Sequence, residues 1–364
     1  MLVPGSEDRE PTAVHDLMLA GAIRAGTRFG GPLDRRYRFG PQTVRLRFAG
    51  PEVADALGPA LDHVRIADGP TDGPTDVTID CWDSVSSGEP VSPLVALLLD
   101  RIDHDWLAWL TPRHEVRGFD NDRVATAFEP WSGILSTYDR TTARGAWWTQ
   151  DATAVPSHER AAPLRSLLGW ALGELGLQSV HAAAVGRTDG GVLLAGPGGS
   201  GKSSTALRGL ADGLGHLADD YCLISTVGPP TAHSLYAVAK LDGPADLERL
   251  PEFGASVTNP ERTGSEKLVI DVGRDFPDRV VTSFPIRAVV VPQVRAGAPT
   301  ALAPMSSAAA LRALGPTTML QLPGAGSTAF RHMGDLVRAV PCFTLYLGPD
   351  AAAVTPLLES LLRP

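Results

Sequence analysis

Positive charge is in deficit. The 364 residues carry 32 Lys and Arg against 41 Asp and Glu, a formal net charge of −9. A general nucleic-acid binder usually presents a basic face, so no nucleic-acid partner is expected. Cysteine is scarce: Cys81, Cys222 and Cys342 are scattered and form no C-x-x-C pair. That excludes a disulfide framework and suits a reducing cytosol. No run of 18 apolar residues exists, so no membrane span is expected. The first ten residues, Met1 to Glu10, lack a signal-peptide layout, and a cytoplasmic location is the expectation. There is no internal repeat and no low-complexity tail. Aromatics make up 6%, yet Trp106, Trp109, Trp131, Trp147 and Trp148 crowd into one segment. Large aromatics more often fill cores than bind ligands.

What is present is enough apolar residue, 43%, to bury more than one core over this length, so two domains are expected. Abundant Ala, Gly, Pro and Arg suit a GC-rich bacterial genome. The chain is organised around Gly191 to Ile224. Gly196-Pro-Gly-Gly-Ser-Gly-Lys202-Ser203 fits G-x-x-x-x-G-K-[ST], the phosphate-binding loop. Val192 to Ala195 before it reads as a buried strand. Ser203 to Ala211 after it reads as a helix with Ala206, Leu207 and Leu210 on one face. Glycines let successive N–H groups of Gly196, Gly198, Gly199, Ser200, Gly201 and on through Ser204 point at one phosphate, with the helix dipole behind it. Lys202 would reach the β- and γ-phosphates of ATP, and the Ser203 hydroxyl would ligate Mg²⁺.

Leu217-Ala-Asp219-Asp220-Tyr-Cys-Leu-Ile224 places two carboxylates beside an apolar strand. Adjacent carboxylates allow one to hold metal while the other takes a proton from an acceptor hydroxyl. Side chains alternate along a strand, so both reach one site only if the strand ends there.

His181-Ala-Ala-Ala-Val185, the strand, GPGGSGKSS and LADDYCLI together resemble the catalytic core of HPr kinase/phosphorylase and its wider family. In that family a histidine precedes the loop strand and a paired-Asp motif follows the loop helix. Here His181 lies 21 residues before Lys202, and Asp219 lies 16 after Ser203. The resemblance covers about Ser179 to Ser225, with a looser echo to about Val294. It implies an α/β P-loop kinase domain of the phosphoenolpyruvate-carboxykinase-like type and ATP-dependent phosphorylation of a serine hydroxyl. It makes Asp220 the base and Asp219 the metal-side carboxylate with Ser203, and sets His181 near the transferred phosphate. It also implies a possible homo-oligomer, since HPr kinases form ringed hexamers. The glycine-rich, Glu-containing signature that follows the paired Asp in HPr kinase/phosphorylases is absent. That argues against a reverse phosphorylase activity and against HPr as acceptor. Some relatives resemble kinases of natural-product precursor peptides, such as lasso peptides, and others small-molecule serine kinases.

Along the rest of the chain, residues 1–12 are polar and expected to fray. Ala13 to Ala25 is a short helix or a loose strand. Thr43 to Phe48 alternates as a half-buried strand, with Arg45 and Arg47 on one face facing solvent or an acidic partner. Pro51 to Val64 reads as a helix, Gly69 to Thr75 as a loop, Val77 to Trp82 as a strand, and Leu94 to Ile102 as helical. Val124 to Phe128 and Gly133 to Tyr138 read as strands. Residues 1–155 are therefore an α+β accessory domain that recognises the acceptor or packs on the kinase core; residues 156–364 are the catalytic domain. Asp151 to Arg160 reads as a polar linker and Pro163 to Leu177 as an amphipathic helix.

Beyond the loop, Ser234 to Asp242 carries Lys240 after a short strand. Lys240 could neutralise the transferred phosphoryl group or be a surface lysine. Pro251 to Glu266 is turn-rich and could be an acceptor-binding lid or a surface loop. Lys267 to Val272 is a strand whose lysine is a weaker site candidate. Pro285 to Pro292 is a continuous apolar run that suits a central strand. Ser307 to Leu314 is a short helix, Gln321 to Thr328 a loop, Phe330 to Val340 a helix, Pro341 to Leu347 a strand and Ala351 to Leu362 a closing helix. Arg331 and His332 reach the nucleotide or lie on the surface.

The function these features support is transfer of the γ-phosphoryl group of Mg-ATP to a hydroxyl on a peptide or protein. The alternatives are a small-molecule kinase and a nucleotide-dependent regulator or ATPase. Paired carboxylates argue against the regulator, which needs no base for an acceptor.

Overall fold

Sequence alternation builds the first sheet. The computed structural model describes residues 9–67, 74–262 and 266–362. The chain divides into two compact units, Met1–Leu175 and Gly176–Pro364. In the first, β1 (Leu33–Phe39) and β2 (Gln42–Phe48) pair antiparallel and turn Tyr37, Phe39, Val44, Leu46 and Phe48 inward. β3 (Val77–Asp83), β4 (Val124–Glu129), β5 (Ile134–Asp139) and β6 (Arg144–Thr149) complete a six-stranded sheet in the order β1-β2-β3-β6-β5-β4. The β2–β3 and β3–β6 neighbours are parallel and the others antiparallel. Arg45 and Arg47 do face one side, where Arg45 pairs with Asp34 at 2.8 Å and Arg47 with Asp80 at 2.9 Å. Their charges are thus answered within their own sheet.

The helix Arg9–Arg28 covers this sheet with Val14, Met18, Ala22 and Ala25, a spacing of one apolar face. Residues 9–12 belong to that helix rather than to a frayed end; residues 1–8 lie outside the described residues. A Cβ on Gly21 would stand 2.6 Å from the Trp82 ring, so only glycine lets the helix pack this close. Trp82, Trp147 and Trp148 are core residues, whereas Trp131 is 76% exposed and meets Trp106 edge-on. The tryptophan-rich segment is therefore only partly core.

Several helices differ from their sequence expectations for local reasons. Pro51 to Val64 is not one helix: an α-helix, Pro51–Leu57, gives way at Gly58–Pro59 to a 3₁₀ segment, Pro59–Val64. Most of the 69–75 loop lies outside the described residues. The stretch anticipated as a linker holds a 3₁₀ turn, Ala152–Ala154, and a short helix, Ser157–Arg160. The helix Arg165–Glu174 packs on β5, and Gly176 follows at φ 85°. The division between units therefore falls after Leu175, beyond residue 155, because that helix belongs to the first unit's core.

In the second unit, β7 (Gln178–His181), β8 (Ala183–Arg187), β9 (Gly190–Leu194), β10 (Gly215–Ala218), β11 (Tyr221–Ser225) and β12 (Thr231–Ser234) precede a separate hairpin. That hairpin is β13 (Val238–Leu241) with β14 (Leu268–Asp271). β15 (Ser283–Val294), β16 (Ala301–Met305) and β17 (Cys342–Leu347) follow. The main sheet runs β10-β8-β9-β15-β12-β11-β7, with β17 also on β15 and β16 on β17. The apolar run in β15 is indeed central. It lies parallel to β9 on one edge, and on the other it pairs first with β12 and then with β17.

Alternation sends side chains to two buried faces. Leu193, Val289 and Val291 pack with Leu314 and Met333 of the helices Ser307–Gln321 and Ser327–Ala339. Val192, Leu194 and Val290 pack with Ala206 and Leu358 of the helices Lys202–Ala211 and Val354–Ser360. The result is a mixed α/β unit whose sheet is covered on both sides. Ser307 opens a longer helix than its short apolar stretch suggested, running through Pro316.

Candidate active site

Six side chains converge because three strands end at one place. β9 runs into the glycine loop, and the Ala195 N–H still bonds the Val290 carbonyl at 2.9 Å. The loop then turns into the helix Lys202–Ala211, capped by Gly201 at φ 98°. A Cβ there would meet Leu347 at 2.5 Å as well as straining the backbone. Thr205 N–H makes an intrahelical bond to Gly201. The N–H groups of Lys202, Ser203 and Ser204 precede it and have no acceptor within the helix, as at any helix start. Gly198 and Gly199 lie exposed at the loop's tip, and beyond their chain neighbours no heavy atom lies within 4 Å of where their Cβ atoms would be. The Ser200 hydroxyl is buried without a hydrogen-bond partner among the described residues.

Lys202 is buried and bends back over this loop, its Nζ donating to Gly196 O at 2.8 Å and Pro197 O at 3.2 Å. Burial pushes its pKa down, and the charges of Asp220 and Asp219 pull against that. An ammonium held by two carbonyls with carboxylates nearby is ready to be transferred to an anion placed in the loop.

β10 ends at Ala218 and β11 starts at Tyr221, so Asp219 and Asp220 occupy the break between them. That break is what lets both carboxylates address one site. Asp219 is buried, and its Oδ2 accepts the Lys240 backbone N–H at 2.8 Å. Its Oδ1 has no hydrogen-bond partner among the described residues. Burial first, and then the neighbouring Asp220 charge, push the Asp219 pKa up, while the Ser203 hydroxyl draws it back.

Asp220 is less enclosed; it ion-pairs with Lys240 Nζ at 3.2 Å, and His181 Nε2 lies 3.7 Å from it on the other side. Burial opposes its ionisation, but His181 and Lys240 outweigh it and hold its carboxyl well below the usual range. Sheet register explains the His181 contact. His181 closes β7 and pairs directly with Tyr221, the residue after Asp220. The hairpin explains the Lys240 contact, since β13 is anchored to Asp219 through its backbone.

The structure thus brings together Lys202, Ser203, Asp219, Asp220, His181 and Lys240. Lys267 stands just before β14, opposite Asp242, and pairs with it at 2.9 Å. Burial lowers its pKa, but the Asp242 bond and the Asp220 and Asp219 charges raise it on balance. It therefore lies at the edge of the same carboxylate field. Arg331 and His332 are not gathered here. Arg331 is exposed and bonds Thr328, and His332 bonds Thr226. Sequence reasoning missed Thr318, whose hydroxyl accepts the His181 N–H at 3.0 Å. It also missed the ring of Tyr221, tilted against His181 with centroids 5.4 Å apart. Thr318 is 137 residues from its partner, and nothing local marks it.

Among the described residues no group of three or more His, Cys, Asp and Glu could hold a metal by itself. The unsatisfied Asp219 oxygen beside Ser203 fits a different donor set, one completed by nucleotide phosphates and water, as Mg²⁺ prefers. The glycine loop, the open helix start and the buried lysine fit a triphosphate.

No family model matches the chain, and no curated protein matches it. Among solved structures it is similar to the HPr(Ser) kinase/phosphatase from Coxiella burnetii, with 14% identity and a TM-score of 0.29. That likeness covers 51% of this chain and 94% of that chain. At this identity and TM-score it carries no argument about chemistry, and the function must be argued from the side chains gathered at the loop.

Proposed function

We propose that the chain transfers the γ-phosphoryl group of Mg-ATP to a seryl or threonyl hydroxyl of a peptide or protein. The observation that carries this is the pair Asp219–Asp220 set at a strand break, within the electrostatic reach of Lys202 and bound to Lys240 and His181. Two carboxylates in unlike environments invite two roles.

Lys202 and the loop N–H groups hold the triphosphate. Ser203 and Asp219 stand on the Mg²⁺ side, and the metal supplies charge neutralisation on the phosphates. Asp220 orients the acceptor hydroxyl and takes its proton. Its depressed pKa keeps it ionised at neutral pH, so the accepting form is always present. It is a weak base, which suits phosphoryl transfer, where positioning and electrostatics do most of the work. Lys240 lies 3.2 Å from Asp220 and is placed to answer charge on the phosphoryl group in flight. His181 fixes the Asp220 carboxylate from the other side. The unit Met1–Leu175 is proposed as the accessory part that recognises the acceptor.

The test is transfer from Mg-ATP to serine peptides by the wild type and by Asp220→Asn. Loss of transfer on the order of 10³-fold with ATP affinity kept within a few-fold supports these roles. Transfer that survives in Asp220→Asn removes Asp220 as the base.

A further inference from the structure

We propose that Val294 and Leu347, at the carboxyl ends of β15 and β17, form the seat of the nucleobase, a flat purine that stacks on them while the glycine loop holds its phosphates. This deepens the function proposed above and rests on its nucleotide site. The loop amides and Lys202 answer the phosphates and leave the nucleoside unplaced. In open α/β sheets ligands sit beyond the carboxyl ends of the strands. β9, β15 and β17 run parallel, so their carboxyl ends lie together at the glycine loop.

Strand order gives the nucleotide a direction. β9 feeds the loop and stands between β8 and β15, with β10 beyond β8. Asp219 and Asp220 follow β10, so the phosphoryl group to be transferred lies on that side of the loop. The nucleoside then leaves on the other side, over the ends of β15 and β17.

Alternation carries an apolar row to that place. Val290, Pro292 and Val294 share one face of β15. Pro292 pairs with Leu345 and Val294 with Leu347 on β17, which continue the same face. Val290 and Leu345 are buried in the cluster that holds Ala206 of the loop's helix. The row outruns this cover: Leu347 is half-buried, and Val294 is 70% exposed. A single exposed valine is ordinary; this one stands beside the cap of the loop's helix. A Cβ on Gly201 would lie 3.9 Å from Val294 Cγ2 and 2.5 Å from Leu347 Cδ1. The ledge therefore abuts the helix start whose open N–H groups face the phosphates. It is also fixed in place. The Arg295 N–H donates to the Leu347 carbonyl at 2.9 Å, and the Arg295 guanidinium lies 4.2 Å from the Tyr346 ring centroid. Tyr346 alternates with Leu347, so this stack occupies the opposite face and leaves the ledge clear. Beyond β17, the Thr300 hydroxyl accepts the Gly348 N–H at 3.1 Å and donates to the Asp350 carbonyl at 2.9 Å.

Inorganic tripolyphosphate carries the phosphates without the base, so it separates this seat from the loop. Mg-ATP and Mg-tripolyphosphate are titrated by calorimetry into full-length wild type, Val294→Ser and Val227→Ser. Val227, 82% exposed in the turn between β11 and β12, is the control. In Val294→Ser the ATP affinity is expected to fall about fivefold, through lost apolar contact, while tripolyphosphate affinity stays within about twofold of wild type. Val227→Ser changes neither. A second variant, Val294→Trp, widens the ledge and reports on it. Its fluorescence in excess of wild type is expected to be quenched by Mg-ATP and not by Mg-tripolyphosphate. Unchanged ATP affinity in Val294→Ser, or an equal loss for both ligands, overturns the seat alone. So does excess fluorescence in Val294→Trp that does not respond to ATP or responds equally to both ligands. Wild type that binds neither ligand overturns the nucleotide site proposed above and the seat with it.

Discussion

Replacing Lys240 by Met removes one ammonium and little else. The backbone N–H that holds Asp219 at 2.8 Å remains, and Met keeps much of the apolar stem. What is lost is a charge 3.2 Å from Asp220 Oδ2, in a pair whose side chains are 11% and 22% exposed. At an effective dielectric constant of about 20, that contact carries about 5 kcal/mol of Coulomb attraction. Part of it is offset, because Lys240 no longer pays for burial and Asp220 retains His181 at 3.7 Å and some water. The net loss of stability at pH 7 is expected to be about 2 kcal/mol. The pH dependence follows from the depressed carboxyl. A group held below its unfolded pKa of about 4 stabilises the fold above that value, and the stabilisation fades as pH falls through the folded value. In Lys240→Met the Asp220 pKa rises toward its ordinary value. The gap between wild type and variant is therefore full at neutral pH and narrows below about pH 4. Urea unfolding across this pH range measures it. A variant as stable as wild type at pH 7, or a gap that does not change with pH, would refute the ion pair and with it Lys240's place in the site.

Asp219→Asn should behave in the opposite sense. Its pKa is raised by burial and by Asp220, so its ionised form costs stability as pH rises from the unfolded value through the folded one. The variant is expected to be more stable than wild type at pH 8 in the absence of nucleotide and indistinguishable at pH 3, by thermal unfolding, while losing its Mg²⁺-dependent activity. A variant less stable at pH 8 counts against the raised carboxyl. Lys202→Ala should weaken Mg-ATP binding about tenfold or more, measured by calorimetry, because it deletes a charged donor to the triphosphate. Unchanged affinity would mean that the loop does not hold phosphate.

The parts of the site legible in sequence were those encoded locally. Gly196 to Ser203 lies between a strand and a helix, so motif and context could be read together. Asp219 and Asp220 could be tied to one site only through a strand end, and a strand break is what stands there. His181 was marked by spacing, but its partner was not. Its contact with Asp220 depends on β7 pairing with β11 across 40 residues of chain, a register that no local pattern records. Thr318 is further removed still, a threonine in a helix whose only distinction is what it touches.

The same divide appears in the fold. Alternation in β2 and the apolar run in β15 gave strands, because burial on one or two faces leaves a direct trace in sequence. The helix Arg165–Glu174 was equally clear as a helix, yet its sequence does not say which core it joins. It packs on β5 and moves the division between units to Leu175. Trp131 shows the limit of composition: a tryptophan in an aromatic-rich segment is ordinarily buried, but this one sits in the β4–β5 turn, exposed.

Phosphopeptide mass spectrometry tests the central claim most directly. A pool of serine- and threonine-containing peptides is incubated with the purified protein and Mg-ATP, alongside Asp220→Asn. The account predicts a phosphate's mass gained on a seryl or threonyl peptide with wild type and lost with the variant. Binding of ATP by both proteins with no phosphate on any peptide would contradict it.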